Sequence, residues 1–190
     1  MFNSIGEARF KSGLSQSQFA QALQISPRTL QEWEQGRRSP SGSARALLSI
    51  ALRHPEIIKE NYEALVRKQK ASLVLLDKMA SSLLSGDEIS LSDLVLDWYR
   101  TGLECAAVPK PHDSDPMQLA IKASIIERLA EVLNSPPHNG TQTPAAWCKQ
   151  VKSLEKPLRL QPERLLEGED FCEAFARRNL FVVRNFMFFI

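Results

Sequence analysis

Between Ser26 and Ser39 the chain SPRTLQEWEQGRRS gathers side chains with one kind of chemistry, dense hydrogen-bond donors and acceptors. Arg28 offers a guanidinium that matches guanine in bidentate fashion. Thr29 and Gln31 offer mixed groups, and Glu32 can accept from cytosine or orient Arg28. Pro27 opens the same face and belongs with this base-reading set. Ser26, Gln35, Arg37, Arg38 and Ser39 flank it and suit phosphate oxygens. The pattern is that of contact with base edges and phosphates of double-stranded DNA, not of making or breaking bonds.

Such a face needs helices to present it. Ser15 with Gln18 three residues on is a capping box, and it predicts a short supporting helix over 15–23 with Phe19, Ala20 and Leu23 inward. Ser17 lies in its first turn, where a helix favours anions. Gln24 and Ile25 make the turn. Ser26-Pro27 starts a second helix over 27–35, because the serine caps and the proline needs no amide hydrogen at that place. Leu30 and Trp33 face inward, which assigns Trp33 to the core. Gly36 ends the helix. Glu34 is spaced to pair with Arg38 at i,i+4. Ahead of this unit, residues 3–12 read as a helix with Ile5, Ala8 and Phe10 as core candidates; Arg9 and Lys11 flank it, for phosphate contact or plain solvation. Behind it, residues 42–53 read as a helix with Ala44, Leu47, Leu48 and Ala51 on one face, stopped by His54-Pro55.

These stretches, GLSQSQFAQAL, ISPRTLQEWEQGRRSPSG and ARALLSIALRHPE, resemble the XRE/Cro-type, lambda-repressor-like helix-turn-helix. Within it they are most similar to antitoxins of the HigA and NadS type. The resemblance covers roughly residues 5 to 60. It implies a helical bundle that docks the helix 27–35 in a major groove, and it adds Gln16 to the phosphate set, since a glutamine at the matching place often bonds a phosphate. One departure is Gln24 at the turn, where many relatives carry glycine. An antitoxin would also bind a protein toxin, with the C-terminal part as its natural docking region.

From Pro55 to Leu84 one or two long helices are expected. Ile58, Leu65, Ser72 and Met79 recur every seven residues, as do Tyr62, Gln69, Leu76 and Leu83. The apolar members Ile58, Tyr62, Leu65, Leu76, Met79 and Leu83 form a candidate dimer seam, and packing on the protein's own domain fits the same pattern. A homodimer would read two half-sites about 10 bp apart. Gly86-Asp87 marks a break. Ser90 with Asp93 is read as the cap of a helix over about 91–105, and a Pro-rich linker spans residues 108–116. An amphipathic helix follows to Leu133, with Ile121, Ile125, Leu129 and Val132 on its face. SPPHNGTQTP is a loop with an Asn139-Gly140 turn, and Thr143-Pro144 starts a short helix through Trp147. A short extended piece and a helical turn in LRLQPERLL, a helix over 169–178, and strands at Leu180–Val183 and Phe186–Ile190 complete the chain. The expected fold is mainly α: a helix-turn-helix domain (1–54), a helical connector (55–85) and a mostly α C-terminal domain (86–190) with short strands at its end.

At 190 residues with 43% hydrophobic content the chain can build a real core. Its net charge is only +2. Residues 1–80 hold 12 Lys and Arg against 7 Asp and Glu, and residues 81–190 hold 12 against 15, so a basic part precedes a mildly acidic one. Cys105, Cys148 and Cys172 are odd in number and far apart, and His54, His112 and His138 are scattered, which argues against a disulfide framework or a zinc site. Cys148 near His138 lacks a third group, so an inert buried thiol is expected. No phosphate loop, metal cluster or carboxylate pair is present, and no cofactor or enzymatic activity is expected. MFNSIGEARFKSG is no signal peptide and no segment is long enough to span a membrane, so a soluble cytoplasmic protein is expected. Three functions fit: a dimeric repressor, an antitoxin, or a DNA-binding module fused to a ligand-sensing or enzymatic domain.

Overall fold

The computed structural model describes residues 4–113, 115–134, 142–160 and 171–182. It is mainly α. The described residues form α1 (Ser4–Ser12), α2 (Gln16–Ala22), α3 (Pro27–Glu34), α4 (Gly42–Arg53), α5 (Pro55–Ser85), α6 (Glu88–Thr101), α7 (Pro116–Asn134) and α8 (Glu173–Ala176). Two 3-10 turns, Cys105–Ala107 and Ala146–Gln150, and two short strands, β1 (Leu158–Arg159) and β2 (Leu180–Phe181), complete them. The chain divides between Lys68 and Gln69 into two compact units. The division falls inside α5, because Ile58 and Tyr62 of its first half pack in the N-terminal core while Leu76, Met79, Ala80 and Leu83 of its second half belong to the C-terminal core.

In the N-terminal unit, local signals do what their chemistry requires. Ser15 caps α2 by accepting from the Gln18 amide, and Gln18 Oε1 accepts from the Ser15 amide at 2.9 Å. The turn into α3 passes through Gln24 at φ 55°, a left-handed conformation that a glycine would hold more cheaply. There the amides of Gln24 and Ile25 donate back to the carbonyls of Gln21 and Ala20, closing the end of α2. Ser26 caps α3, accepting from the Thr29 amide at 3.0 Å, with Pro27 as the first helical residue. Gly36 at φ 69° ends α3, and the amides of Gly36 and Arg37 donate to the carbonyls of Trp33 and Glu32.

The core of this unit holds Ile5, Ala8, Leu14, Phe19, Leu23, Leu30, Trp33, Leu48, Ala51 and Ile58. Two expected core positions differ. Phe10 is 80% exposed, because the buried face of α1 runs through Ile5, Ala8 and Ser12, and residue 10 falls on the other side. Leu47 is also exposed; Leu48 and Ala51 carry the contact of α4, with Ala44 half-buried against it.

The C-terminal unit is organised around α7. Its sequence reads as amphipathic, yet every residue from Ala120 to Ala130 is buried, Lys122, Glu127 and Arg128 included. A helix surrounded on all sides has no solvent face for its charges, so they must be paired. Lys122 bonds Asp113 at 2.8 Å and also Asp77. Glu127 takes the guanidinium of Arg178 through both oxygens, at 2.6 and 2.9 Å, and Arg178 also donates to the carbonyls of Cys148 and Ala174. α6 starts three residues earlier than the spacing of Ser90 and Asp93 suggests. Asp87 is its cap, accepting from the Ser90 amide at 3.0 Å and from its hydroxyl. Gly102 at φ 61° ends α6. β1 and β2 pair in parallel, Leu158 opposite Leu180. The Asn139-Gly140 turn, His138, the helical turn after residue 160 and the strand at 186–190 lie outside the described residues.

Candidate nucleic-acid interface

The face of α3 that sequence spacing assigns to base reading is open. Pro27, Arg28 and Gln31 are exposed, while Thr29 and Glu32 are half-buried. The Arg28 side chain is 88% exposed and reaches Glu32 at 3.4 Å, a long contact between exposed groups that costs little to break. Leu30 and Trp33, buried on the opposite side, fix which way this face points. Thr29 of this set and Ser26 of the phosphate set already have local work. The Thr29 hydroxyl lies 2.8 Å from that of Ser26, so Ser26 serves first as the cap of α3.

Beyond α3 the phosphate candidates Gln35, Arg37, Arg38 and Ser39 are all exposed. Arg37 donates to the side-chain oxygen of Gln35, which gathers two of them into one cluster. Arg38 carries no side-chain ion pair among the described residues. The expected pair with Glu34 is not made. Glu34 instead turns inward and accepts from Arg9 Nε at 2.7 Å and from Gln16 Nε2 at 2.8 Å. Its partners lie on α1 and α2, at sequence separations that helical spacing cannot reveal. One signal was available: a carboxylate in the last turn of a helix opposes the macrodipole, and such a residue needs another reason to be there. Ser17 is exposed in the first turn of α2, and its hydroxyl lies 3.2 Å from that of Ser15.

Four of the six candidate seam positions are buried within the chain. Ile58 is 3% exposed in the N-terminal core, and Leu76, Met79 and Leu83 are at most 1% exposed in the C-terminal core. Tyr62 and Leu65 are half-buried.

The cysteines of the C-terminal unit are not poised for reaction. Cys105, Cys148 and Cys172 are buried free thiols. Burial pushes Cys105 and Cys148 up to about 12, and the charge of Glu127 adds to this at Cys148; burial raises Cys172 as well. A thiol held that far from ionisation is a poor nucleophile. No group of three or more His, Cys, Asp or Glu among the described residues is placed to hold a metal ion. No helix among them is long and apolar enough to cross a membrane.

Comparison with known proteins covers the same region. Residues 5–53 match the family model described as helix-turn-helix. A stretch of 50 residues is 46% identical to the antitoxin HigA-2 of Vibrio cholerae serotype O1, covering 26% of this chain. The match spans 48% of that relative's length, so about half of it has no counterpart in the alignment. No solved structure matches the chain. Residues 5–53 of this chain form a helix-turn-helix domain.

Proposed function

We propose that the protein is a sequence-specific DNA-binding transcriptional regulator that acts as a dimeric repressor, its own promoter included. The observation that carries this reading is the open polar face of α3, held outward by buried Leu30 and Trp33 and followed by exposed Arg37 and Arg38. In this mechanism α3 enters the major groove, and Arg28, Thr29, Gln31 and Glu32 meet base edges beside Pro27. Gln16, Ser17, Ser26, Gln35, Arg37, Arg38 and Ser39 hold the backbone on either side. Binding breaks the long Arg28–Glu32 contact at little cost and frees the guanidinium for a guanine. Since Ile58, Leu76, Met79 and Leu83 are occupied in the protein's own cores, the dimer contact uses other surfaces, with Tyr62 and Leu65 the seam positions still partly open.

The test is selection of bound DNA from a random pool by the full-length protein at near-physiological salt. Recovery of an inverted repeat supports the reading, and the half-site spacing measures the dimer. Failure of a folded protein to enrich any motif refutes it. On the recovered site, Arg38→Ala is expected to weaken binding evenly across sequences and to lower the salt slope by about one unit.

A second reading is favoured by the identity with HigA-2, whose name describes an antitoxin. In it the protein also neutralises a toxin, and the C-terminal unit is the partner-binding part. Co-purification with the product of an adjacent small reading frame, and rescue of cells that express that product, would support this reading. Failure of rescue would remove it and leave the repressor standing.

A further inference from the structure

The inward turn of Glu34 has a consequence for the phosphate contacts. Glu34 sits at the end of α3 with its side chain 14% exposed, and both of its oxygens are taken, Oε1 by Arg9 Nε and Oε2 by Gln16 Nε2. A carboxylate only accepts hydrogen bonds, so it removes the ambiguity of the Gln16 carboxamide: the nitrogen must face Glu34. One amide hydrogen of Gln16 is thereby spent inside the protein. The other, with the carbonyl oxygen, has no partner among the described residues. Arg9 supplies the positive charge that makes a half-buried carboxylate tolerable at this end of a helix. Because Glu34 points inward, it is also unavailable to Arg38, whose guanidinium stays exposed and unneutralised at i,i+4.

We propose that Glu34 is a positioning residue for DNA binding. It locks the Gln16 carboxamide so that its remaining N–H is held ready for a phosphate oxygen, and it leaves Arg38 free for another. The start of α2 and the end of α3 are thus set together, with Arg9 as the counter-charge that permits it. The inference rests on the DNA-binding reading and assigns to that interface a residue that touches no DNA itself.

The test uses the full-length protein and the operator recovered by selection, with affinity measured by fluorescence anisotropy. Gln16→Ala and Glu34→Ala are each expected to lose about tenfold in affinity, the size of one good hydrogen bond to a charged group. If Glu34 acts through Gln16, the double variant loses little more than either single one. Glu34→Gln keeps an acceptor for the Gln16 amide and should recover most of what Glu34→Ala loses. A purely structural ion pair behaves otherwise: Glu34→Gln is then as weak as Glu34→Ala, and the losses of Glu34→Ala and Gln16→Ala add. Either result overturns the proposal while leaving the DNA-binding reading intact. Failure of the wild-type protein to select DNA overturns both. Where Glu34→Ala does not fold, nitrogen-15 relaxation of the Gln16 side-chain amide in the wild-type protein decides. An amide as ordered as the backbone supports the lock, and a freely rotating one refutes it.

Discussion

The two units of this protein handle charge in opposite ways. The N-terminal unit keeps Arg28, Arg37 and Arg38 outside, on α3 and the segment after it, and turns one ion pair, Glu34–Arg9, partly inward. Its core is made from the apolar faces of short, well-capped helices. The C-terminal unit encloses α7 and with it Lys122, Glu127 and Arg128, then recruits Asp77, Asp113 and Arg178 from other segments to satisfy Lys122 and Glu127. The first arrangement leaves charge free to meet a charged partner. The second spends charge on holding one packing arrangement, since a buried ion pair contributes little net stability but is very costly to break.

The largest expected effect comes from breaking the second arrangement. Arg178→Met strips the buried Glu127 of both short hydrogen bonds, leaves it only the longer ion pair to the exposed Arg177 at 3.8 Å, and should cost about 3 kcal/mol. Amide hydrogen exchange should show the loss in α7 and α8 while α2 and α3 stay protected. The double variant Glu127→Leu/Arg178→Met should be more stable than Arg178→Met alone, because neither charge remains; a double variant less stable than the single one would contradict this account. In the N-terminal unit the corresponding change is harmless to folding. Arg28→Ala removes a side chain 88% exposed, so the melting temperature should hold while operator discrimination falls by about 1–3 kcal/mol at one base pair. A loss of stability together with unchanged discrimination would reassign Arg28 to the fold.

Smaller effects sharpen the contrast in how each unit ends its helices. Gln24→Gly should stabilise the N-terminal unit by up to about 1 kcal/mol, because the left-handed strain at φ 55° outweighs the added freedom of the unfolded chain. Chemical denaturation measures it, and a loss of stability would show that the Gln24 side chain holds the turn. In the C-terminal unit the cap of α6 is ionic. The hydroxyl of Ser90 and then its amide hold the Asp87 carboxyl below its ordinary value of 3.8. A lowered carboxyl contributes stability that is present above the unfolded value and lost as pH falls through the folded one. Stability should therefore fall on acidification below about pH 4, and Asp87→Asn should make that limb slightly shallower.

The helix-turn-helix was legible almost residue by residue, down to the capping box at Ser15 and Gln18, the Ser26-Pro27 start and the Gly36 stop. So was the outward face of α3, because Leu30 and Trp33 leave only one side for Arg28 and Gln31. The C-terminal unit was legible as a set of helices and short strands but not as a packing. The spacing of Ile121, Ile125, Leu129 and Val132 predicts one buried face, and nothing in it reports that the other face is buried too.

What the amino-acid sequence determined by itself is whatever depends on neighbours within about one helical turn: caps, stops, turn conformation and the phase of an apolar stripe. What only the tertiary structure decided is which partner each ambiguous side chain takes. Glu34 had Arg38 four residues away and chose Arg9 and Gln16, at 25 and 18 residues. Glu127 found Arg178 at 51. The seven-residue repeat of α5 fits a second copy equally well, yet Ile58 and Tyr62 pack in one core of the chain and Leu76, Met79 and Leu83 in the other. Local geometry limits each choice to a few candidates. The deciding free energy comes from removing charge and apolar surface from water together, and that depends on the whole arrangement.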